Sequence, residues 1–354
     1  MSTPKVPRQS DSGQATPSEA REGTPGSREE EPEERVLGLT DILGREAGGL
    51  LVLLVLIAAL TIATETFLTG TNLANLVRQV TVFAVLAVGQ LFVILTAGID
   101  LSVGSVLALS GAVTAQMLVA GVPVPVAAVL GIIIGLLLGV FNGVLVAFFG
   151  IPPFITTLGM LGMARGMVLL ITDARTISGL PESFQVIANG SVLGVPNLLV
   201  ALLIVGVVAT FVLSRTVFGR YVYAVGSNAE SARLSGVPVT RVLVTVYAIS
   251  GLLAGVAGVL IASRLGAGIP TAGTGYELQA IAGAVIGGAS LSGAKGRALG
   301  AILGALIMAT LENGGNLLGV DPFYLQIAIG ALILIAVFFD QVQQRGLRFG
   351  RASA

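Results

Sequence analysis

The chain has 354 residues, 54% of them hydrophobic and only 11% charged, where a soluble globular domain carries about 25% charged residues. Basic and acidic residues balance at 19 each, so no net field draws in nucleic acid. Cysteine and histidine are both absent, which excludes disulfides and thiol chemistry and removes the commonest metal ligand and general base; no metal, no cofactor and no catalytic residue is expected.

Residues 1–35 differ in composition from the rest, with eight acids, five bases and five prolines, and the first aromatic residue is Phe67. Such a segment buries too little apolar surface to offset its ordering entropy, so residues 1–45 are expected to form a disordered tail. No apolar core follows within the first 30 residues, so the tail does not read as a signal peptide.

Spanning helices need about 20 mostly apolar residues. On that rule a membrane domain fills residues 46–342, with a short tail from 343 to 354, and ten spans are predicted. The first five run over about 48–66, 79–97, 101–120, 124–149 and 154–172. A polar stretch at 173–195 separates them from a sixth at about 196–214, and a second polar stretch, 215–241, follows. The last four spans run over about 242–263, 277–289, 298–311 and 323–339. The eighth and ninth are short, and one of them reads as re-entrant or tilted.

Orientation follows from Lys and Arg in short loops. With the N-terminus in the cytoplasm, ten bases outside the tail fall inside and three (Arg78, Arg175 and Arg264) fall outside. Both termini are therefore expected in the cytoplasm of a multi-pass protein of the cell membrane, with lipid as its surroundings. Gly131, Gly135, Gly139 and Gly143 repeat every four residues, as do the pairs Gly251/Gly255 and Gly300/Gly304. Small residues at this spacing let helix backbones approach closely.

A few polar residues stand out inside the apolar runs. Asp100 is a lone acid beside membrane helices, read either as an N-cap for the third span near the cytoplasmic surface or as a gate or pore residue. Arg165 lies within the fifth span and reads as a pore-lining donor, a clamp on a neighbouring helix, or an arginine reaching for the interface. Gln90 and Asn142 are neutral polar residues within spans, suited to hydroxyl groups of a solute or to interhelical bonds. The loop residues Gly226, Ser227, Asn228, Ala229, Glu230, Ala232, Arg233, Ser235 and Gly236 read as a short helix, started by Asn228 and ended by Gly236.

Four stretches, read together, carry a family resemblance. They are Thr96–Ser105 (TAGIDLSVGS), Gly226–Gly236 (GSNAESARLSG), Tyr276–Gly293 (YELQAIAGAVIGGASLSG) and Asn313–Gly319 (NGGNLLG). In this order they resemble the permeases of ribose-type sugar ABC importers, within the broader branched-chain amino acid and sugar permease superfamily, over nearly all of residues 50–340. Glu230 and Ser231 stand where the family often has alanines.

The resemblance implies an all-α membrane fold of the vitamin B12 importer type, about ten helices in two inverted halves of five. It implies a second permease copy, either identical or a close paralogue, together with a cytoplasmic ABC ATPase and an extracytoplasmic sugar-binding protein. On this reading the loop at 226–236 couples to the ATPase, and ATP is hydrolysed by that partner; the chain itself has no Gly-x-x-x-x-Gly-Lys-[Ser/Thr] loop. The competing readings are a branched-chain amino-acid permease and an ion-coupled transporter. The second needs acids at mid-membrane depth, whereas the acids here are expected to cluster at helix ends.

Overall fold

A computed structural model describes residues 39–349. Of the expected disordered N-terminal tail, residues 1–38 lie outside the described residues, as do residues 350–354 of the short C-terminal tail; residues 39–45 are helical, at the start of the first helix, and not disordered. Contacts divide the chain into residues 1–42 and 43–354, and the helical bundle belongs to the second unit.

Apart from one small hairpin, the regular structure among the described residues is helical. The first five helices are α1 (Leu39–Ala63), α2 (Gly70–Leu95), α3 (Val103–Val119), α4 (Val124–Ala147) and α5 (Pro153–Thr172). A connecting segment holds α6 (Glu182–Asn189) and the antiparallel strands β1 (Ser191–Val192) and β2 (Val195–Pro196). Then come α7 (Asn197–Arg215), α8 (Val217–Ser227), α9 (Ala229–Leu234), α10 (Val239–Leu265), α11 (Tyr276–Ile286), α12 (Ala298–Leu317) and α13 (Pro322–Phe349). Prolines open α5 and α13 and sit in the first turn of α4, where a missing N–H leaves no bond unmade.

Six helices, α2, α4, α5, α7, α10 and α12, are long and apolar enough to cross a membrane. Four shorter apolar segments join them: Ala47–Ala63, Val103–Val119, Tyr276–Ile286 and Pro322–Phe338. The starts and ends differ from those expected where charge interrupts hydropathy. Thus α1 opens at Leu39, α2 at Gly70 and not near Gln79, and α12 continues to Leu317 past the expected end at Leu311. Backbone hydrogen bonding carries a helix through polar residues that an apolar window rejects.

Burial sorts the helices. The apolar window of α2 is 83% buried within the subunit and that of α10 is 61% buried, whereas α4, α5 and α7 bury less than a third of theirs. Residues such as Ile133, Phe149, Leu170, Val207 and Phe338 therefore present large apolar side chains outward. Contiguous exposed apolar surface on this scale belongs against lipid or another membrane chain.

The glycine register makes the central seam. A Cβ placed on Gly251 of α10 would lie 2.7 Å from the Cα of Gly139 in α4, and one on Gly135 would lie 2.8 Å from the backbone of Gly255. Backbone atoms, not side-chain tips, fill these positions, so the two helices pack with no side chain between them. On α12, Gly304 is held in the same way against Gly283 and Gly287, at the C-terminal half of α11. Gly251→Ala is expected to destabilise the subunit by about 1–3 kcal/mol through overpacking. Thermal unfolding in detergent measures this, and an unchanged midpoint would show that the seam can spread without cost.

Candidate translocation and coupling sites

Three of the four polar residues singled out in the spans come together. After α2 ends at Leu95, the backbone turns through Ala97, in the left-handed region at φ 61°, and reverses towards α3. Gly98 lies beneath Tyr247 of α10, where a Cβ would come 2.5 Å from the phenol oxygen. Asp100 follows. Its Oδ1 accepts from the Ser102 backbone N–H (2.9 Å) and from the Ser102 hydroxyl (2.6 Å), and its Oδ2 accepts from the Ser250 hydroxyl of α10 (2.8 Å). Gln90 holds the backbone of the same residue: with its amide oriented by this network, it donates to the Asp100 carbonyl (3.0 Å) and accepts from the Asp100 N–H (3.1 Å). Asn142 of α4 donates to the Ser102 hydroxyl at 3.0 Å, and Thr157 of α5 donates to the Ile99 carbonyl at 3.1 Å.

Gln90, Asp100 and Asn142 are at most 1% exposed. The cluster is thus an internal knot that ties α2, α3, α4 and α10 together. Asp100 does not cap α3, because that helix starts at Val103 with Ser102 in the capping position. Nor does it sit at a surface: its bond to Ser250 places it near the middle of α10. Three donors there replace the water that the acid loses on burial.

Arg165 stands apart from the knot. Half-buried, it donates from Nη1 to the carbonyls of Pro270 (2.6 Å) and Ala272 (3.2 Å), within electrostatic reach of Glu277. It holds the turn between α10 and α11, which is the clamp arrangement among the readings open to it.

The loop at 226–236 folds as its capping residues require. Asn228 Oδ1 accepts from the Ser231 N–H at 2.8 Å and starts α9. At the other end Gly236 adopts φ +82°, its N–H bonds to the Arg233 carbonyl, and the Val237 N–H bonds to the Ala232 carbonyl, both at 3.0 Å. This pair of bonds is a Schellman motif, which needs a left-handed residue that glycine supplies without strain. Glu230 and Arg233 form an exposed ion pair, and the guanidinium holds the Glu230 carboxyl below its ordinary value.

Within α9 the side chains divide. Ala232 points into the main hydrophobic cluster at 5% exposure, while Ala229, Glu230, Arg233, Ser235 and Gly236 face outward. Leu234, which is not among the loop residues singled out by the sequence, is 76% exposed. The signal that could have found it is a large aliphatic side chain on the tip of a rigidly capped helix.

Gly226 forms a junction. A Cβ there would strike the Leu95 carbonyl and approach the Ala294 nitrogen at 2.8 Å, and those two groups already bond each other at 3.0 Å. One on Gly293 would lie 2.7 Å from the Gly226 carbonyl and 3.1 Å from the Ala97 nitrogen. Three of the four motifs behind the family resemblance therefore meet backbone to backbone at one end of the bundle.

This architecture is that of a multi-pass helical membrane protein with a short, capped helix, α9, at one end. Residues 72–337 match the family model described as "Branched-chain amino acid transport system / permease component". The ribose import permease protein RbsC of Bacillus subtilis (strain 168) is 45% identical over 299 residues, covering 84% of this chain and 93% of the relative. The D-allose transport system permease protein AlsC of Escherichia coli (strain K12) is 42% identical over 297 residues, covering 83% and 91%. The xylose transport system permease protein XylH of the same strain is 36% identical, covering 79% and 87%. No solved structure matches the chain. The chain belongs to this permease family, in its ribose-type branch. It is a transport component and not an enzyme, and membership implies an ATPase and a solute-binding protein as partners.

Proposed function

We propose that this chain is the membrane-spanning permease subunit of an ATP-driven ABC importer, carrying a monosaccharide or related polyol that an extracytoplasmic binding protein delivers. The observation behind the sugar is that relatives bearing ribose, allose and xylose permease names align over most of both chains. The family description favours a second reading, a branched-chain amino-acid permease. The complete complex in vesicles, offered D-ribose and L-leucine in turn, decides between them: uptake of leucine alone would reject the sugar. Uptake that persists without ATP on an ion gradient would reject the ABC mechanism.

In this reading six long and four shorter apolar segments supply ten spans, in two inverted halves of the vitamin B12 importer type, with both termini cytoplasmic. A second copy or close paralogue and lipid cover the outward apolar faces. The Gly226–Gly236 segment docks on the ATPase. Gln90, Asp100 and Asn142 act as a gate element that moves as one body, and Arg165 sets the turn before α11 beside the path. Residues 1–45 and 343–354 flank the transport domain as cytoplasmic tails.

Cysteine labelling tests the orientation. Ser183→Cys, on exposed α6, is expected to react with an impermeant reagent added outside, and Ser227→Cys only from the cytoplasm. External labelling at position 227 would reverse the topology.

A further inference from the structure

A polar network lies at the end of the bundle opposite α9, and neither the gate element nor the docking helix uses it. Four helices bring it together: Gln79 from the first half of α2, Arg264 from the end of α10, Tyr276 and Gln279 from the start of α11, and Glu312 from the later half of α12. The Gln279 amide donates to Glu312 Oε2 at 3.4 Å, and Gln79 is a second donor to that carboxylate. The Arg264 guanidinium lies within electrostatic reach of Glu312, of Tyr276 and of a second cation, Arg78. The Tyr276 ring stands edge-on to Phe83, with centroids 4.8 Å apart. All five side chains are half-buried. Ionised groups at such positions in membrane helices are costly and mark solute pathways.

The network holds bonding capacity that the protein does not use. Gln279 Oε1 is buried and accepts no hydrogen bond from the described residues. Arg264 has five N–H donors, yet its guanidinium makes no ion pair or hydrogen bond among the described residues. A hydroxyl both donates and accepts, so one ligand carrying several can satisfy the amide oxygen, the guanidinium and the carboxylate together.

We propose that Glu312, Gln279, Gln79, Arg264 and Tyr276 form a recognition point for a hydroxyl-rich solute on the entry side of the subunit. This rests on the sugar-import reading and adds the residues that recognise the cargo.

The test uses the complete complex of permease, ATPase and binding protein in ATP-supplied vesicles, offered D-ribose, D-xylose, D-allose and L-leucine. Glu312→Gln is expected to lower uptake of the transported sugar at least about tenfold, the weakening of a hydrogen bond to a charged group, and Gln279→Ala about two- to tenfold, the loss of a neutral one. Complex recovery and binding-protein-stimulated ATP hydrolysis are expected to stay at the wild-type level. If the first variant is not recovered, Gln279→Ala, which removes no charge, decides. Sugar uptake at the wild-type rate in the recovered variants overturns the site and leaves the sugar-import reading standing. Uptake falling only in step with complex recovery overturns it too, by making the network structural. Transport of L-leucine and none of the sugars by the wild type overturns both.

Discussion

Replacing Asp100 with alanine is expected to deprive the subunit of its folded state before it affects transport. The substitution leaves the Ser102 N–H, the Ser102 hydroxyl and the Ser250 hydroxyl without the acceptor they share. Each buried orphan costs about 1–3 kcal/mol, and a total of several kcal/mol is a large part of a typical stability of about 5–15 kcal/mol. Asp100→Asn keeps one acceptor oxygen and is expected to fall between. Recovery of monodisperse protein in detergent, with its unfolding midpoint, is the measurement. An alanine variant recovered with a wild-type midpoint would show that the carboxylate is not what holds the four helices together.

Leu234→Asp is expected to do the reverse, leaving the subunit intact and breaking its union with the ATPase. The side chain is 76% exposed, so the fold loses little when it changes. At a docked surface, burying a leucine contributes about 1.5–3 kcal/mol, equivalent to roughly ten- to hundredfold in affinity. Co-purification of the ATPase with the permease measures the loss, and sugar uptake is expected to fall with it. Normal recovery of the complex would reject α9 as the contact. A bulky residue at Ala229 tests the same surface by added volume. Gly236 and Ala232 do not: at Gly236 the left-handed φ of +82° strains any larger residue and disturbs the helix end first, and Ala232 lies in the subunit's own hydrophobic cluster, so a large residue there disturbs the core first.

The junction at Gly226 links these two outcomes. Its backbone touches Leu95, where the chain enters the turn that carries Asp100, and Ala294, in the loop after α11. If α9 docks on the ATPase as proposed, these main-chain contacts of Gly226, in the neighbouring α8, offer a route from that surface to the Asp100 knot.

Much of the fold is legible in the residues alone, wherever the cause is local. Apolar windows locate the helices because each helix satisfies its own backbone hydrogen bonds and needs only apolar side chains around them. The four-residue glycine register identifies the α4 and α10 faces that meet. Asn228 and Gly236 mark the ends of α9, since a cap bond spans only three residues and a left-handed turn only one. Hydropathy misplaces helix ends at Arg78 and Glu312, because it treats a charge as if it stood alone. In the fold Glu312 has Gln79, Gln279 and Arg264 beside it, and α12 runs through.

Tertiary structure alone decided which polar groups meet. Asp100 and Ser250 are 150 residues apart in sequence, and no periodicity or spacing announces that they share a bond. Gln90, Asp100 and Asn142 read as three separate candidates until the turn after α2 folds back to bring them into one knot. Gly226 and Ala232 likewise read as members of a surface loop, while packing places the first against the α2 turn and the second in the core. A residue's helical state depends on neighbours within a turn or two, and the sequence carries that information directly. Its partner across the bundle depends on how remote helices seat against each other, which the whole set of backbone contacts settles at once.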